Sequence, residues 1–597
     1  MKQIEFLRNT VAPAARVYDV PTIRSLRDMT EQSASRFSDN VAFTWLDASK
    51  NVVVRTYSEA YSDIKAFSTY LNSKGYKGER IAVFGRNCYE WAATYLAVVC
   101  GTGVIVPIDK ELKAPDVANI LKVSGARAVV CTPDECDTID EVQRLLEAPI
   151  DVINSSLIRD YIAQGRAMID AGDRSFDEYK VDPYAMSVLL FTSGTTGMAK
   201  GVMLSQNNIC ADVTAMRKRF YVDTNDRVFS MLPLHHTYEC TAGFLTPFSA
   251  GCSISYCESL RRIMTDLSIF RPTILIVVPL IVENFHANIL KKIKKQNFGD
   301  IKLNVGRALA AVSPALGRAA FKAVADAFGG RVRLMITGAA ALDPNIFRDF
   351  EDFGFKMYNG YGLTETAPVC LMHNDFRARS PLTVGYPIAG VDVRLVAYTG
   401  ENDGRDVADG EVGEIAVRGE NVMIGYYQNQ GETARVLRDG WFYTGDLAVK
   451  DSTGAVKIVG RIKNMIVTKN GKKIFPEEME YLLEKSPFIK ESVVYGSENE
   501  DKDGDVTVSA KIFPDYDVVN KYISERGLCS EEQISAFGND YIEQLRVLFK
   551  GIVKELNRGV PGYKMIHMFR IRRTEFVKTT TKKIKRNAED CDSDYLM

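Results

Sequence analysis

The sequence lacks several features that would each mark a whole class of protein. Its 75 lysine and arginine residues are balanced by 76 aspartate and glutamate residues, whereas a general nucleic-acid-binding protein carries a basic excess. Its 11 cysteines include no C-x-x-C pair, so their spacing indicates neither a zinc site nor a disulfide scaffold. No internal repeat and no low-complexity tract occurs. These absences exclude a general nucleic-acid-binding protein, a disulfide-stapled domain and a repeat array.

Long apolar runs are also missing. The longest, such as residues 274–282, fall far short of the roughly 20 residues that cross a bilayer. Pro279 interrupts that run, which predicts a buried strand that enters a loop. The first residues carry charges on both sides of a very short apolar stretch, unlike a secretory signal. Together with scattered cysteines, which are typical of free thiols in a reducing compartment, this pattern predicts a cytoplasmic protein.

What is present is a long chain of globular composition. With 597 residues, 46% of them hydrophobic, we expect several compact units of about 150 residues each. From about residue 57, short β-branched runs alternate with longer amphipathic stretches; two such runs begin at Ile81 and Gly103. Alternation of this kind predicts parallel sheets covered by helices, and therefore an α/β protein.

The pattern changes after about residue 385. Short strand-like segments that begin at Asp392, Glu414 and Ala455 are separated by glycine and aspartate turns, which predicts an antiparallel, β-barrel-like region. A small α/β unit follows. We therefore predict a large domain over residues 1–462, made of two parallel α/β sheet subdomains and a small β-barrel-like subdomain. A small α/β domain over residues 463–597 completes the predicted architecture.

The most informative stretch is L-L-F-T-S-G-T-T-G-M-A-K-G-V, residues 189–202. A buried strand runs into a loop of glycines, whose N–H groups can converge on an anion, and hydroxyls, which add donors. Lys200 adds a positive charge. The loop is not a Walker loop, because the residue five after Gly194 is Ala199 rather than glycine. An ordinary surface turn is the alternative, but six glycine or hydroxyl residues after one strand favour anion binding.

A second cluster is Y-N-G-Y-G-L-T-E-T, residues 358–366. Gly360 and Gly362 flank Tyr361, which offers an aromatic face on a bent backbone where a base could stack. Thr364 supplies a hydroxyl, and Glu365 supplies a carboxylate, a hard oxygen ligand suited to Mg²⁺. Taken alone, this cluster could also be a simple turn.

Two further motifs follow: W-F-Y-T-G-D, which ends at Asp446, and V-G-R-I-K-N, which contains Arg461. In this order, the four motifs closely resemble those of the adenylate-forming superfamily of acyl-CoA synthetases, adenylation domains and luciferases, from about residue 25 to Arg586. The runs L-P-L-H-H-T-Y-E, residues 232–239, and V-P-L-I-V-E-N-F, residues 278–285, are most similar to those of long-chain fatty-acid–CoA ligases.

The resemblance implies a reaction in two steps. A carboxylate attacks the α-phosphate of ATP to give an acyl-adenylate and pyrophosphate, and the thiol of CoA then displaces AMP. ATP, Mg²⁺ and CoA are thus the implied cofactor and co-substrates. A fatty carboxylate is already ionised at neutral pH, so the first step needs no general base. Its barrier is the repulsion of two anions, and each preorganised donor that lowers it contributes roughly 3 kcal/mol.

The resemblance also implies roles for individual residues. The phosphate loop and Lys200 would hold the β- and γ-phosphates, Thr364 the α-phosphate, and Glu365 with Thr195 the Mg²⁺ ion. His236 would lie beside the carboxylate, although a histidine simply packed at a strand end is the alternative. The residues implied to bind ATP or AMP are Thr192, Ser193, Gly194, Thr195, Thr196, Gly197, Lys200, Gly338, Ala339, Ala340, Asn359, Gly360, Tyr361, Gly362, Thr364, Asp446, Arg461 and Lys583.

The adenylation lysine is assigned from the tail, residues 574–586. Aligning Ile584 and Arg586 with the end of the family's final motif places this lysine at Lys583. The tail departs from that motif at Val577, where proline is usual, and at Lys582, where glycine is usual. A solvated basic run is therefore the alternative.

The small domain is expected to be mobile and to rotate between the half-reactions about a hinge at Lys463. The loop of residues 469–476 would line the CoA channel, with Gly471, Lys472 and Lys473. Candidate residues of the acyl pocket are Tyr238, Gly243 and Phe244, and chain length stays open.

Other readings also remain open. The acyl acceptor could be an acyl-carrier protein instead of CoA, or the chain could be a non-catalytic nucleotide-binding protein. We expect a monomer or a homodimer. A lysine-rich stretch, residues 291–295, could make weak peripheral contact with anionic lipid or could be a solvated helix face.

Overall fold

The computed structural model describes residues 16–192, 200–296, 298–398, 404–468, 470–499, 505–579, 583–586 and 592–596. The chain forms two compact units. The first comprises the described residues up to Arg394 together with Ala416–Tyr443 and Thr453–Lys457. The second comprises Leu395–Ile415, Thr444–Ser452 and the described residues from Ile458 onward. The domain boundary at Lys463 stays a prediction.

The first unit contains two large sheets, and the predicted α/β class is confirmed. In the nine-stranded sheet, the six central strands run parallel. Its strands, in spatial order, are Tyr386–Pro387, Val369–Met372, Lys356–Gly362, Leu334–Thr337, Ile274–Val277, Arg227–Ser230, Ser253–Tyr256, Val41–Leu46 and Val52–Thr56.

The seven-stranded sheet has five parallel strands at one side. In spatial order its strands are Gly425–Tyr426, Lys200–Ser205, Met186–Thr192, Val104–Ile108, Arg80–Phe84, Ala128–Cys131 and Asp151–Asn154. Its central strands are almost wholly buried and rich in valine and isoleucine, as expected for parallel strands covered on both faces.

Helices connect and cover these strands. The Tyr57–Ser73 helix shows how the sequence sets a boundary, because Thr56 and Glu59 form a capping box at its start. The α-helices of the first unit are Leu26–Arg36, Tyr57–Ser73, Tyr89–Gly101, Ala114–Ser124, Cys136–Leu145, Ile158–Asp170, Ser175–Glu178, Gln206–Arg217, Thr246–Ser249, Ile263–Phe270, Pro279–Lys294, Gly299–Val312, Pro314–Ala320, Lys322–Ala327, Pro344–Asp352 and Gln430–Val436. Tyr238–Leu245 is a π-helix.

The structure corrects one expectation in this unit. The strand Ile274–Val277 does not enter a loop, because the Pro279–Lys294 helix begins directly after it. Pro279 occupies the start of that helix, where a fixed φ is preorganised for helix and the missing N–H removes no hydrogen bond.

The short strands expected after residue 385 are confirmed. Five of them belong to one sheet: Val391–Val396, Gly413–Gly419, Leu437–Arg438, Trp441–Lys450 and Val456–Arg461. The predicted small α/β region after Arg461 is also present. It contains the hairpin Ile466–Val467 with Lys473–Ile474, the three-stranded sheet Ile489–Asn499, Asp505–Pro514 and Ile566–Ile571, and the helices Pro476–Leu483, Tyr516–Glu525, Glu531–Ser535 and Asn539–Arg558.

Within the described ranges, no helix combines the length and the apolar character needed to cross a bilayer.

Candidate functional site

Two segments predicted to bind ATP or AMP lie side by side at the carboxyl-terminal edge of the parallel strands in the nine-stranded sheet. The strands Leu334–Thr337 and Lys356–Gly362 run parallel, with Thr337 opposite Asn359. Residues 338–340 follow the first strand, and residues 360–362 end the second. Ligands of open α/β sheets bind outside the carboxyl ends of the parallel strands. The register therefore brings these segments to a position that suits ligand binding.

The backbone at this edge is closely packed. A Cβ atom on Gly362 would lie 1.8 Å from the carbonyl oxygen of Pro368, and one on Gly338 would lie 3.2 Å from Cζ of Tyr238. The Tyr238 hydroxyl donates to the carbonyl of Ile336 at 3.0 Å. Glycine at position 362 is therefore required by space, and any side chain there would displace the turn that precedes Thr364 and Glu365.

Asn359 is held firmly at the same edge. Its backbone N–H donates to Nδ1 of His373 at 3.1 Å, and its side-chain Nδ2 donates to the carbonyl of Thr383 at 3.1 Å. Burial, aided by Arg379, lowers the pKa of His373 to about 4, so the imidazole is neutral and can accept. The Oδ1 atom of Asn359 is buried without a hydrogen-bond partner among the described residues. Buried polar atoms usually have partners, which makes this oxygen available to a donor on a ligand.

Glu365 belongs to a connected polar cluster. The hydroxyl of Tyr426 donates to Oε1 of Glu365 at 2.8 Å, and the ammonium of Lys200 lies 5.1 Å from the centre of the Tyr426 ring. Lys200 also forms an ion pair with Glu432. The structure thus links two predicted phosphate-site residues, Lys200 and Glu365, through one tyrosine that the sequence analysis did not identify.

Strong pairing keeps Glu432 ionised. Arg435 hydrogen-bonds to it at 2.8 Å, and this contact together with Lys200 lowers the pKa of Glu432 to about 2, against the opposing effect of partial burial. Thr192 and Lys200 lie opposite each other in antiparallel strands. They hold the two ends of the predicted phosphate loop, whose remaining residues, 193–199, lie outside the described ranges.

His236 has two neighbours that sequence reasoning missed. Its Nε2 lies 3.1 Å from Nε2 of His235, and Nε2 of His235 lies 3.3 Å from Oδ1 of Asp109. One ligand atom from each residue lies within 4.8 Å of the others, a grouping that could hold a metal ion. The only sequence signals were the doubled histidine and an aspartate directly after a strand, Val104–Ile108.

The predicted acyl-pocket residues belong to the π-helix Tyr238–Leu245, a rare form that is frequent at functional sites. Phe244 is fully buried and packs near Phe43 and Tyr95. Gly243 faces Glu239, because a Cβ there would lie 2.6 Å from its carboxylate.

Glu239 itself is an unusual group. It is fully buried, and neither carboxylate oxygen has a hydrogen-bond partner of normal geometry among the described residues. Burial raises the pKa of Glu239 to about 8, and the nearby Ser230 hydroxyl offsets only part of this effect. At neutral pH, Glu239 therefore holds a proton and is uncharged.

In the second unit, Asp446 and Arg461 form an ion pair. Nε of Arg461 lies 2.8 Å from Oδ1 of Asp446, whose side chain is almost fully buried. The backbone N–H of Asp446 donates a hydrogen bond to the Thr444 hydroxyl at 3.1 Å. These two residues, both predicted to bind ATP or AMP, are thus adjacent.

We use the name tail hairpin for residues 577–579 and 583–586, which pair with each other; the residues between them lie outside the described ranges. The N–H of Thr579 donates to the carbonyl of Lys583 at 2.8 Å, and the N–H of Lys583 donates to the Thr579 hydroxyl at 3.1 Å. Lys578 and Ile584 form an antiparallel β-bridge through their backbones. Much of Lys583 is exposed, yet desolvation of its ammonium lowers its pKa; the charge of Arg461 lowers it further, and Asp446 opposes both. Lys583, Asp446 and Arg461 therefore act on one another electrostatically.

The alternative lysines of the tail differ from Lys583. Lys578 is bound to Glu491 and to Glu575, the latter at 3.2 Å. These two pairs outweigh the desolvation of Lys578 and raise its pKa. Lys585 is exposed, and Lys582 lies outside the described ranges. The assignment of the adenylation lysine to Lys583 stays a prediction.

Arg586 fastens this hairpin to the Pro476–Leu483 helix. Its guanidinium binds Glu480 and lies 3.8 Å from Glu477. Glu477 also accepts a hydrogen bond from Asn464 at 2.6 Å, and Asn464 is the residue after the predicted hinge, Lys463. One carboxylate thus contacts both the tail and the segment that contains Lys463.

The predicted CoA-channel residues surround the tip of a short hairpin. Gly471 has a φ of +72°, and the N–H of Lys472 donates to the Thr468 hydroxyl at 3.1 Å. Gly471, Lys472 and Lys473 are all exposed.

The chain is similar in sequence to several known proteins. Long-chain-fatty-acid–CoA ligase FadD15 of Mycobacterium bovis is 27% identical over 562 residues, covering 89% of this chain and 89% of that protein. Long chain acyl-CoA synthetase 1 of Arabidopsis thaliana is 26% identical over 609 residues, covering 94% and 87%.

Solved structures support the same fold. The anthranilate CoA ligase AuaEII in complex with anthranoyl-AMP is similar with a TM-score of 0.71 at 19% identity, over 96% of this chain and 98% of that chain. ATP-bound MatB from Rhodopseudomonas palustris gives a TM-score of 0.71 at 22% identity, over 94% and 98%. The model of the AMP-binding enzyme family matches residues 30–427, well over half of the chain, and so this chain belongs to the AMP-binding enzyme family.

Proposed function

We propose that the protein activates a long-chain fatty acid with ATP and then transfers the acyl group to CoA, releasing AMP and pyrophosphate. The first half-reaction follows from membership of the AMP-binding family. The fatty substrate and the CoA acceptor are supported by relatives named as long-chain acyl-CoA ligases that match most of the chain.

The observation that carries the proposal is the match of the AMP-binding enzyme family to residues 30–427, and the ion pair of Asp446 with Arg461 at 2.8 Å adds a candidate site for the ribose. In the proposed mechanism, Asp446 and Arg461 hold the ribose, and Lys583 bridges the substrate carboxylate and the α-phosphate. The positive charge of Lys583 offsets the repulsion between these two anions, which is the main barrier to the reaction. The carboxylate needs no general base.

At the sheet edge, the proposed roles follow the donors and acceptors that are present. Asn359 offers its unpartnered Oδ1 to an amino group such as that of adenine, and Lys200 with the loop 193–197 binds the terminal phosphates. We assign Thr364 to the α-phosphate and His236, oriented by His235 and Asp109, to the carboxylate.

Glu365 fits a Mg²⁺ ion, because it is a half-buried carboxylate with one oxygen fixed by Tyr426. Bound there, Mg²⁺ would supply positive charge to the phosphates of ATP. Thr195, the second predicted ligand, lies outside the described residues.

The decisive experiment offers a panel of carboxylic acids of increasing chain length with ATP, Mg²⁺ and CoA, and measures AMP release. We expect release that depends on carboxylate and CoA and is greatest with long chains. Carboxylate-dependent exchange of pyrophosphate into ATP tests the first step alone, and its absence would point to a nucleotide-binding protein without catalysis. A parallel assay with holo-acyl-carrier protein distinguishes the two possible acceptors.

A further inference from the structure

The segment after the Pro279–Lys294 helix has an unusual composition. Residues 289–322 contain six lysines and two arginines but a single acidic residue, Asp300. The segment thus carries seven net positive charges in a chain whose total net charge is −1. It forms the end of that helix and the two helices Gly299–Val312 and Pro314–Ala320.

The Gly299–Val312 helix carries an apolar face that points outward. We use the name apolar stripe for Ile301, Val305, Leu309 and Val312, which are all exposed. Their spacing of three or four residues places them along one side of the helix. Val312 is 76% exposed and Ile301 60%. Scattered apolar side chains on a surface are ordinary, but a contiguous row of large ones marks an interaction site.

Two further residues extend the apolar stripe at its ends. Phe298, directly before the helix, is 75% exposed, and Leu316, in the following helix, is also exposed. Small apolar residues occupy the space between them: Ala308, Ala311, Ala315 and Ala319 are exposed as well. The outward surface of both helices is therefore rich in apolar side chains, with the exposed polar residues Lys302 and Asn304 beside them.

The opposite side of the same helix is already packed against the protein. Leu303 and Gly306 are buried, and a Cβ on Gly306 would lie 2.3 Å from Cζ of Phe321. Arg307 binds Asp349 with two N–H groups, at 2.6 and 3.1 Å. These contacts fix the rotation of the helix, so the outward direction of the apolar stripe is a property of the fold.

Positive charge borders the apolar stripe. Four exposed lysines end the Pro279–Lys294 helix and follow it: Lys291, Lys292, Lys294 and Lys295. Lys302 is exposed on the Gly299–Val312 helix itself. An apolar helical face flanked by lysines is the arrangement of helices that lie in the plane of a membrane interface.

We propose that the apolar stripe and these lysines dock the protein on membranes that contain anionic phospholipids. The apolar side chains would enter the boundary between headgroups and acyl chains, while the lysines contact the lipid phosphates. A second copy of the chain fits this surface poorly, because two segments with seven positive charges each would repel one another. The proposal concerns binding alone and does not depend on the proposed reaction.

The test is co-sedimentation of the full chain with phosphatidylcholine vesicles that contain or lack 30% phosphatidylglycerol. We expect binding only to the anionic vesicles, with an affinity that falls at least tenfold between 50 and 300 mM salt as the lysines are screened. The double variant V305D/V312D and the quadruple variant Lys291→Gln, Lys292→Gln, Lys294→Gln and Lys295→Gln should each lower binding at least tenfold.

Matched controls use residues of equal exposure elsewhere. The double variant V52D/V547D introduces the same two charges at side chains that are 53% and 60% exposed elsewhere. A second quadruple variant replaces the exposed lysines Lys485, Lys521, Lys550 and Lys554 by glutamine. Both controls should bind like the wild type. Thermal unfolding of every variant identifies any loss of binding that arises from misfolding.

Three outcomes would overturn the proposal. The first is equal binding to neutral and anionic vesicles, and the second is wild-type binding by both test variants. The third is the absence of vesicle binding together with a dimer in solution that V305D/V312D dissociates, which would assign the apolar stripe to contact between two copies.

Discussion

Lys200 and Lys583 have the same proposed task, to bring positive charge to negatively charged phosphate, but the fold holds them in different ways. Lys200 begins a strand of the seven-stranded sheet, is paired with Glu432 and lies near the Tyr426 ring. Lys583 lies in a hairpin of the tail, with much of its surface exposed. Lys200 is thus part of a large sheet, whereas Lys583 would reach the site only through the predicted rotation of the small domain. The first arrangement suits binding of ATP and the second suits catalysis.

The sharpest test of this contrast is Lys583→Ala. We expect adenylation, measured as pyrophosphate exchange, to fall about 100- to 1,000-fold, because a charge needed in the transition state is lost. Formation of the thioester from supplied acyl-adenylate should continue at nearly the wild-type rate. Lys585→Ala, at an exposed lysine two residues away, is the matched control and should retain exchange. Equal loss of both half-reactions would contradict the role given to Lys583.

The first unit, which contains Lys200, also contains the buried acid Glu239, whose ionisation can be tested by measuring stability at different pH values. The pKa of Glu239 is raised from 4.5 to about 8, so between these values the folded protein holds a proton that the unfolded chain releases. Raising the pH from 5 to 8 therefore lowers the contribution of Glu239 to the free energy of unfolding. Glu239→Gln removes this titration, and we expect its stability relative to the wild type to rise by about 1–3 kcal/mol over that range. Urea unfolding at both pH values measures the difference, and a constant difference would refute the shifted pKa.

Removing the charge of Lys200 should have a smaller effect on catalysis than removing the charge of Lys583. We expect Lys200→Ala to raise the KM for ATP about tenfold with little change in kcat, because Lys200 contacts phosphates in both the ground state and the transition state. Lys122→Ala is the control, since it breaks a lysine–glutamate pair that is fully on the surface. A fall in kcat alone would remove the distinction between the two lysines.

The smallest expected effect comes from Tyr426→Phe. This change deletes only the hydrogen bond to Glu365, which is 2.8 Å long, and a bond of this kind contributes about 1 kcal/mol. We expect the Mg²⁺ concentration needed for half-maximal exchange to rise about fivefold. The neighbouring Tyr427→Phe, whose ring instead lies near Arg80, should leave the Mg²⁺ dependence unchanged.

The sequence predicted the parts of the site that depend on one segment at a time. The glycine-containing segments 338–340 and 360–362 follow parallel strands, and parallel strands end at a common edge, so their proximity follows from the fold class. The assignment of the adenylation lysine to Lys583, made from the alignment of Ile584 and Arg586, stays a prediction, and the pairing of the tail with itself was not foreseen.

Contacts between distant segments could not be predicted. Asp109 follows a strand of one sheet and His235 follows a strand of the other, and no spacing in the chain reveals that these two sheets bring them together. Glu432 lies 232 positions from its partner Lys200 in the sequence. The raised pKa of Glu239 results from its burial in the folded protein, which the sequence around it does not reveal. The loop expected after Pro279 was wrong because proline serves equally well as the first residue of a helix.

Glu477 contacts two segments of the second unit that are far apart in the sequence, the tail and the residues around position 463. Since Arg586 lies close to this carboxylate and Asn464 donates to it, the tail and the residues around position 463 are coupled mechanically. If the small domain rotates about Lys463 as predicted, this link would make the tail that contains Lys583 turn together with the hinge. Substitution of Glu477 would then change the timing of the two half-reactions.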